Sequence, residues 1–542
     1  MTVEPSIEVK RHGLSKSRLT ALDQCERKLW LSVHRRDLGK RDAGADHQMA
    51  VGHQVGAIAC DLRPDGIMIE ERDLGTAAET TRRLLAEGKR LPLFEATFSY
   101  EGLLVQVDVL EPVADQAWAI AEVKSTTATK DYHRPDLATQ VWVLQSCGLE
   151  IEGASIRHID NQFVLKTAGE YRGLLKDHSL LDDLTELLAC VPDRVARARA
   201  VLASTEPAVR TGDHCSAPFT CEYRVHCASF EPAAPEWPVA LLPRTGKTLA
   251  ARFGAQGAYD LTEIEERDLD NPIHRRIHAA TVSGQVYHDY QGAAAAVAGW
   301  ASPRAFLDFE TISFAVPRWV GTRPYQAVPF QFSCHVEKAA GGLDHVGFLS
   351  LDGADPRRAC AEALVTALGA HRGAVVTYNA SFERSCIEGL AQCFPDLAPT
   401  LMEIRDRIVD LLPVTRDHYY HRDQRGSWSI KAVLKTVAPD LSYEDLVVGD
   451  GMAAQLAWLE AASDGVPPER KEAIRGALET YCERDTEAMV VLLQRLTRPV
   501  TISVRRQMFW DSRGADLVES WPCLGSIFRR RFCGAASADV GG

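Results

Sequence analysis

Asp108 and the triplet Glu122-Val123-Lys124 are the first residues whose types and spacing suit chemistry. Side chains alternate across a strand, so Glu122 and Lys124 leave one face together. Two carboxylates beside an ammonium can hold a divalent cation and orient water against a phosphate ester. A hairpin whose polar residues face solvent explains the same letters. In the second half, Asp308 and Glu310 alternate with Phe309, again placing two carboxylates on one strand face. Tyr481 and Asp485 stand four apart in a helical stretch and share a helix face. Each pattern is common alone; their succession over about 180 residues is not.

Cysteines form a third grouping. Cys215, Cys221 and Cys227 recur with five residues between neighbours in HCSAPFTCEYRVHC. Zinc knuckles use tighter pairs, with about two to four residues between ligands. Three evenly spaced thiols plus a remote one suit a [4Fe–4S] cluster, which four thiolates hold. Cys25 is the candidate for the fourth ligand. Zinc, with His214 or His226 in the set, is the second reading, and three unrelated loop cysteines the third.

Around these residues, two apolar runs, Leu103–Leu110 and Trp118–Val123, predict a β-hairpin with a loop containing Pro112, Asp115 and Gln116. Ser15–Arg35 predicts a helix with Leu19, Leu22, Leu29, Trp30 and Val33 on its apolar side, capped by Ser15 or Ser17 and carrying Cys25. Met49–Cys60 predicts a second, short helix bearing His53. Pro135 is placed to start another, with Leu137, Val141 and Leu144 as its buried stripe and Gln140 beside them. Four prolines in Ser229–Pro243 mark a domain boundary, and residues 244–300 read as helical and connective. The Gly246–Thr248 triplet GKT has Leu241 where a phosphate loop needs glycine, so no phosphate loop is expected there. Beyond it, Pro329–Val336, Val346–Leu351 and Ala374–Tyr378 read as strands, the last entering Asn379-Ala-Ser-Phe382-Glu383. Gly426–Leu434 predicts a helix that offers Lys431 as a phosphate contact, and the pattern decays from Arg498 onward.

Length and composition frame these sites. At 542 residues there is room for two or three cores. With 46% hydrophobic and 25% charged residues the composition is ordinary for a globular protein. Neither a long apolar run nor an apolar N-terminal segment is present, which predicts a cytoplasmic protein with no membrane partner. Fourteen cysteines then read as free thiols or metal ligands rather than disulfides. The net charge of −13 argues against a general nucleic-acid coat protein. Lys10 to Arg41 runs the other way, with ten Lys or Arg against three acids, and reads as either a strand-guiding surface or a solvated helix.

The order Cys25 in SKSRLTALDQCERKLWL, Asp108, Glu122-Val-Lys124, Gln140, then the cysteine triplet resembles the RecB-like PD-(D/E)xK nucleases. It is closest to their iron–sulfur branch, which includes CRISPR-associated adaptation nucleases. The resemblance implies metal ligands at Asp108 and Glu122, a catalytic Lys124, a supporting Gln140, and a [4Fe–4S] staple on the four cysteines. A histidine is often found after a G-x-x-V step; here Gly56 follows Val55, and His53 reads either as a substitute or, as a lone histidine more commonly is, as a structural or solvent-facing residue. Asp308, Glu310, the Asn379–Glu383 motif, Tyr481 and Asp485 resemble the tyrosine-bearing DEDD, or DnaQ-like, 3′→5′ exonucleases of RNase H-like fold. That resemblance implies Mg²⁺ or Mn²⁺ on Asp308, Glu310 and Asp485, with Tyr481 orienting water. The second motif usually ends in aspartate, so Glu383 and Asp410 compete for that ligand position, and a degraded, binding-only site is the third reading. Together the halves resemble a family of predicted bacterial nucleases that fuses the two folds.

The expectation is therefore a two-domain α/β chain. Residues 1–230 form the PD-(D/E)xK domain, 231–300 a linker and connector, 301–500 the exonuclease domain and 501–542 a loosely ordered tail. It would hydrolyse nucleic acid, DNA before RNA, at two separate sites. The competing expectation is an iron–sulfur protein that binds nucleic-acid ends without cutting.

Overall fold

A computed structural model describes residues 13–40, 43–113, 116–338 and 340–499. The expected tail from 501, Asp115 of the hairpin loop, and Lys10, Arg11 and Arg41 of the basic stretch lie outside these residues. The architecture is α/β, built on two large mixed sheets. Among the described residues no helix is long and apolar enough to cross a membrane.

The first sheet comprises Leu14–Ser15 (β1), Ile67–Met68 (β2), Leu93–Tyr100 (β3), Leu103–Pro112 (β4), Trp118–Lys124 (β5), Ile151–Ile159 (β6) and Leu175–Ser179 (β7). Its order is β2-β3-β4-β5-β6-β7, with β1 on β4. Alternation along β4 buries Leu103, Val105 and Val107 in the core. The expected hairpin forms, but its strands part company. The β4–β5 ladder stops at Val109 opposite Ala121, and β5 continues only with β6 as far as Lys124. The early part of β4 pairs instead with β1, Leu14 opposite Leu103. The sheet thus forks where Asp108 and Glu122 sit.

The basic stretch Ser15–Arg35 makes two helices, Lys16–Gln24 and Glu26–His34, where one was expected. Cys25 interrupts them with an extended backbone (φ −169°, ψ 128°). Ser15, not Ser17, caps the first helix by accepting from the Arg18 amide. The helix His133–Ser146 buries Leu137, Val141 and Leu144 as the apolar stripe requires, and it begins two residues before Pro135.

Tyr287–His288 (β8) pairs with Tyr419–Tyr420 (β14) as a small ribbon. The second large sheet contains Ala305–Ile312 (β9), Val328–Glu337 (β10), Leu343–Leu349 (β11), Val375–Thr377 (β12) and Ile408–Asp410 (β13). Its order is β11-β10-β9-β12-β13, antiparallel from β11 to β9 and parallel from β9 to β13. Helix Pro468–Leu496 packs on β9 and β10. The stretch read as a connector is part of this core: Trp237, Val239, Phe253, Leu261 and Ile277 pack with Phe306, Val376, Leu411 and Met489. Gly426 shows how close the approach is. With φ +79° it lies so near the Leu241 carbonyl that a Cβ would meet the oxygen at 1.9 Å.

The loop after β9 joins the two halves. The Leu165 amide donates to the Thr322 carbonyl at 3.0 Å, and the Gly321 amide to the Leu165 carbonyl at 2.7 Å. Ala315 and Val316 enter an apolar cluster with Val55, Ile159 and Leu174.

Candidate active sites

The fork in the first sheet is the first site. Beyond the last β4–β5 pair, the Val123 amide has no backbone partner on β4 and donates instead to the Asp108 side chain, Oδ2, at 2.7 Å. β1 delivers Lys16 into the opening, and its ammonium lies 2.7 and 2.8 Å from the two oxygens of Glu122. Lys124 donates to Glu122 Oε1 at 2.6 Å, and Gln140, fully buried, to Oε2 at 2.8 Å. The structure therefore brings Asp108, Glu122, Lys124 and Gln140 together.

Three further residues complete this site. Lys16 belongs to a stretch read only as basic helix. Asp136 lies 3.5 Å from Lys124 and 4.0 Å from Lys16. Glu95 stands at the β3 position facing Asp108, where its φ of +58° interrupts the ladder. A lone carboxylate in a strand and one in a first helical turn gave no signal in sequence. His53 is exposed on the helix Ala43–Asp61, near enough to act electrostatically on Glu95.

The charges are unequal. Burial would raise Glu122, but the two ammoniums outweigh it and hold this carboxyl well below the usual range. Asp108 is pushed up to about 7 by burial and by the Glu122 charge. Burial would lower Lys16, yet Glu122, Asp136 and Asp108 raise it. Both Glu122 oxygens already face cationic or amide donors, so a divalent ion would reach this carboxylate by displacing Lys16. Buried acceptors on Gln140 (Oε1) and Asp136 (Oδ1) have no hydrogen-bond partner and suit an added cation.

At the second site β9 sends Asp308 and Glu310 to one face, and helix Pro468–Leu496 brings Asp485 against them. One oxygen from each of the three lies within 4.8 Å of the others. Burial first, then mutual repulsion, raises Asp308 well above its usual range and Glu310 to about 8. Asp485 rises to about 6, chiefly through burial, with Tyr443 and Lys431 opposing. Three crowded acids, two buried and Asp308 half-buried, are the donor set a hard divalent cation takes.

These residues line a recess of about 170 Å³ with Tyr378, Lys431 and Tyr481. Lys431 donates to the Tyr481 hydroxyl at 3.1 Å and to the Gly449 carbonyl at 2.6 Å. Its ammonium also lies over the Tyr443 and Tyr481 rings, at 5.1 and 4.9 Å. Tyr443 donates to Asp485 Oδ1 at 2.6 Å. It comes from a segment with no readable period, 42 residues upstream, and could not be assigned from sequence. Burial raises the Tyr481 phenol, so it stays protonated.

The rival residues separate clearly. Asp410 caps the helix Leu411–His418 and accepts from the amides of Asn379, Ala380 and Leu412 at 3.0, 3.1 and 2.9 Å. Those three backbone bonds hold it as a helix cap, and it stands outside the close trio. Glu383 is buried, with Oε2 unpartnered, and burial lifts it to about 8. It acts on Asp308 electrostatically but stands outside the close trio.

Cys215, Cys221 and Cys227 are buried with Leu31 and Tyr223 in one small cluster. Gln24 ties their loop to the first helix, donating to the carbonyls of His214 and Phe219 at 2.7 and 2.6 Å. Burial pushes the Cys227 thiol up to about 11; Arg27 opposes this, while Cys221, Cys25 and Cys215 add to it, so all four lie in electrostatic reach. Cys25 also stands at the N-terminus of the helix Glu26–His34. Ligands of one tetrahedral zinc would approach each other to about 3.8 Å, from Zn–S bonds of about 2.3 Å. Among the described residues no three thiols lie mutually within 4.8 Å. His226 Nε2 is buried without a hydrogen-bond partner.

A family model described as a domain of unknown function, DUF2779, matches residues 305–429. That segment holds Asp308, Glu310, Glu383 and Asp410 but neither Tyr481 nor Asp485. No curated protein matches the chain.

Proposed function

We propose that this chain is a metal-dependent nuclease whose phosphodiester hydrolysis centres on Asp308, Glu310 and Asp485. The single observation that carries the reading is the convergence of these three acids, Glu310 and Asp485 buried and Asp308 half-buried, with Tyr481 in one recess. The strand arrangement supports an RNase H-like fold, with β9 in the middle, antiparallel neighbours on one side and parallel ones on the other.

Bound Mg²⁺ or Mn²⁺ would supply charge neutralisation for attacking and leaving oxygens. The chain's own residues do the rest. Asp308, Glu310 and Asp485 offer the ligand oxygens, and Tyr443 fixes Asp485 from behind. Lys431 donates to the Tyr481 oxygen, and the phenol, which also hydrogen-bonds toward Asp485, would orient a water against phosphorus. In the first half, Asp108 and Glu122 form a second hydrolytic site, with Lys124 stabilising phosphate charge and Gln140 positioning Glu122. DNA is the assigned substrate, following the resemblance of the first half. Cys25, Cys215, Cys221 and Cys227 would hold a [4Fe–4S] cluster, whose role is to staple the ends of that half together.

The position of Glu383, outside the trio, favours a second reading in which the latter half binds nucleic-acid ends without cutting. One experiment separates them: degradation of end-labelled single strands with Mg²⁺ or Mn²⁺, with and without chelator. Chelator-sensitive degradation lost in Asp308→Ala supports hydrolysis, whereas strand binding with no degradation supports the second reading. Anaerobically purified protein should be brown and contain about four iron atoms per chain; stoichiometric zinc would refute the cluster.

A further inference from the structure

A cleft of about 1170 Å³ lies between the halves. It exceeds the ~300–1,000 Å³ typical of small-ligand pockets, so its size suits an oligomer. It adjoins both carboxylate sites. Ser125 in its lining directly follows Lys124, and Ser313 follows the strand that carries Asp308 and Glu310. Met452, also in the lining, follows Gly451, where a Cβ would lie 3.8 Å from Glu310 Oε2.

The lining chemistry departs from the rest of the molecule. The chain has 74 Asp and Glu, yet none of the described lining residues is acidic. Lys130 and Arg323 lie there exposed, and neither side chain has a hydrogen bond or ion pair among the described residues. Phe219 and Tyr325 are 43% and 42% exposed, and Tyr132 meets Phe219 edge to face at 5.0 Å. Tyr325 holds a φ of +57°, a costly conformation for an aromatic residue. Its hydroxyl donates to the Ser125 carbonyl, which pins the ring across the junction of the halves. Bare cations with exposed aromatic faces and no competing carboxylate match the backbone and base chemistry of single-stranded nucleic acid.

We propose that this cleft seats a single strand running between the two carboxylate sites, with phosphates on Lys130 and Arg323 and bases against Phe219 and Tyr325. The proposal rests on the nuclease reading of the sites it adjoins. The cleft is a shared substrate track, so one strand can be engaged by both halves of the molecule.

The test is binding of a fluorescein-labelled oligothymidylate of about 12 nucleotides to the full chain in EDTA, which blocks cleavage. Lys130→Ala/Arg323→Ala is expected to weaken binding at least tenfold. It should also reduce the salt slope by about 1.4, because two phosphates are no longer neutralised by the protein. Phe219→Ala, which leaves charge unchanged, is expected to weaken binding about fivefold or more without altering that slope. Unchanged affinity in folded forms of both variants overturns the proposal, as does equal affinity for a duplex or for a polyglutamate peptide. Manganese-dependent hydrolysis of bis-p-nitrophenyl phosphate by the unaltered chain, and its loss in Asp308→Ala, reports on the sites independently. Variant-sensitive strand binding without that hydrolysis leaves the cleft standing and removes the catalytic reading; hydrolysis with variant-insensitive binding does the reverse.

Discussion

The two carboxylate sites solve the same electrostatic problem in opposite ways. Around Glu122 the fold brings its own cations: Lys16 and Lys124 lie 2.7 and 2.6 Å away, and the carboxyl is held ionised. Around Asp308 it brings mostly repulsion, since three acids share a space that one ammonium, Lys431, lines while committed to Tyr481 and Gly449. The first arrangement is neutralised before any ligand arrives. The second holds its acids toward the protonated form, so a divalent cation entering there would have to release protons.

The largest test of this contrast is to remove one carboxylate from each site. Asp308→Ala should lower metal-dependent cleavage by at least about 100-fold, because outer residues around metals already cost about 10–100-fold. Glu122→Ala should leave that activity and abolish a second one. If either change alone removed all cleavage from a folded protein, the sites would not be separate.

Lys16→Ala sharpens the contrast from the other side. It removes one of two cations from a buried carboxylate and should cost about 1–3 kcal/mol in denaturant unfolding. It should also make the first site respond to Mn²⁺, seen as a larger metal-induced rise in melting temperature. Unchanged stability would mean that Lys124 alone balances Glu122.

A smaller effect is expected from pH. Glu310 and Asp485 are raised to about 8 and about 6 in the fold, against about 4 in an unfolded chain. The folded protein then binds more protons across that window, so stability falls as pH rises from about 4 to about 8. In chelator, melting temperature should drop between those values, Mn²⁺ should restore it, and Asp308→Asn should blunt both changes. A flat profile would break the account of the second site.

The smallest effect belongs to Glu383. Burial keeps it protonated near neutrality, so Glu383→Gln should change stability by no more than about 0.5 kcal/mol. Asp410→Ala, which strips a helix cap, should cost about 1 kcal/mol. Their effects on cleavage show whether either assists the trio.

What could be seen in sequence follows from where the partners lie. Asp308 with Glu310, and Tyr481 with Asp485, are related by the period of a single element, and the fold keeps both pairs. The hairpin bearing Asp108 and Glu122 was legible for the same reason. Its fork was not, because the parting of β4 from β5 depends on β1 pairing from nearly 90 residues away. Lys16 and Tyr443 reach their sites only through such long-range packing, while Glu95 and Asp136 come from the neighbouring strand and the next helix without a residue period that ties them to the site. The helix Ser15–Arg35 failed at Cys25, where apolar spacing continues through a residue whose backbone turns extended. Residues 244–300 looked like connection because each helix is short and only the assembled core shows what it buries.

That last feature bears on how the protein can be cut apart. The segment matched as a domain, 305–429, is smaller than the unit that folds. Excised alone, it would expose the faces of Phe306, Val376 and Leu411 that Trp237 to Ile277 and the last long helix now cover. It would also lack Asp485, the third acid of its own site. Recombinant pieces begun at residue 301 should aggregate, whereas a piece spanning Trp237 to Leu496 retains the packing partners of that half. The inherited module and the physical one have different edges here, and the chemistry straddles the difference.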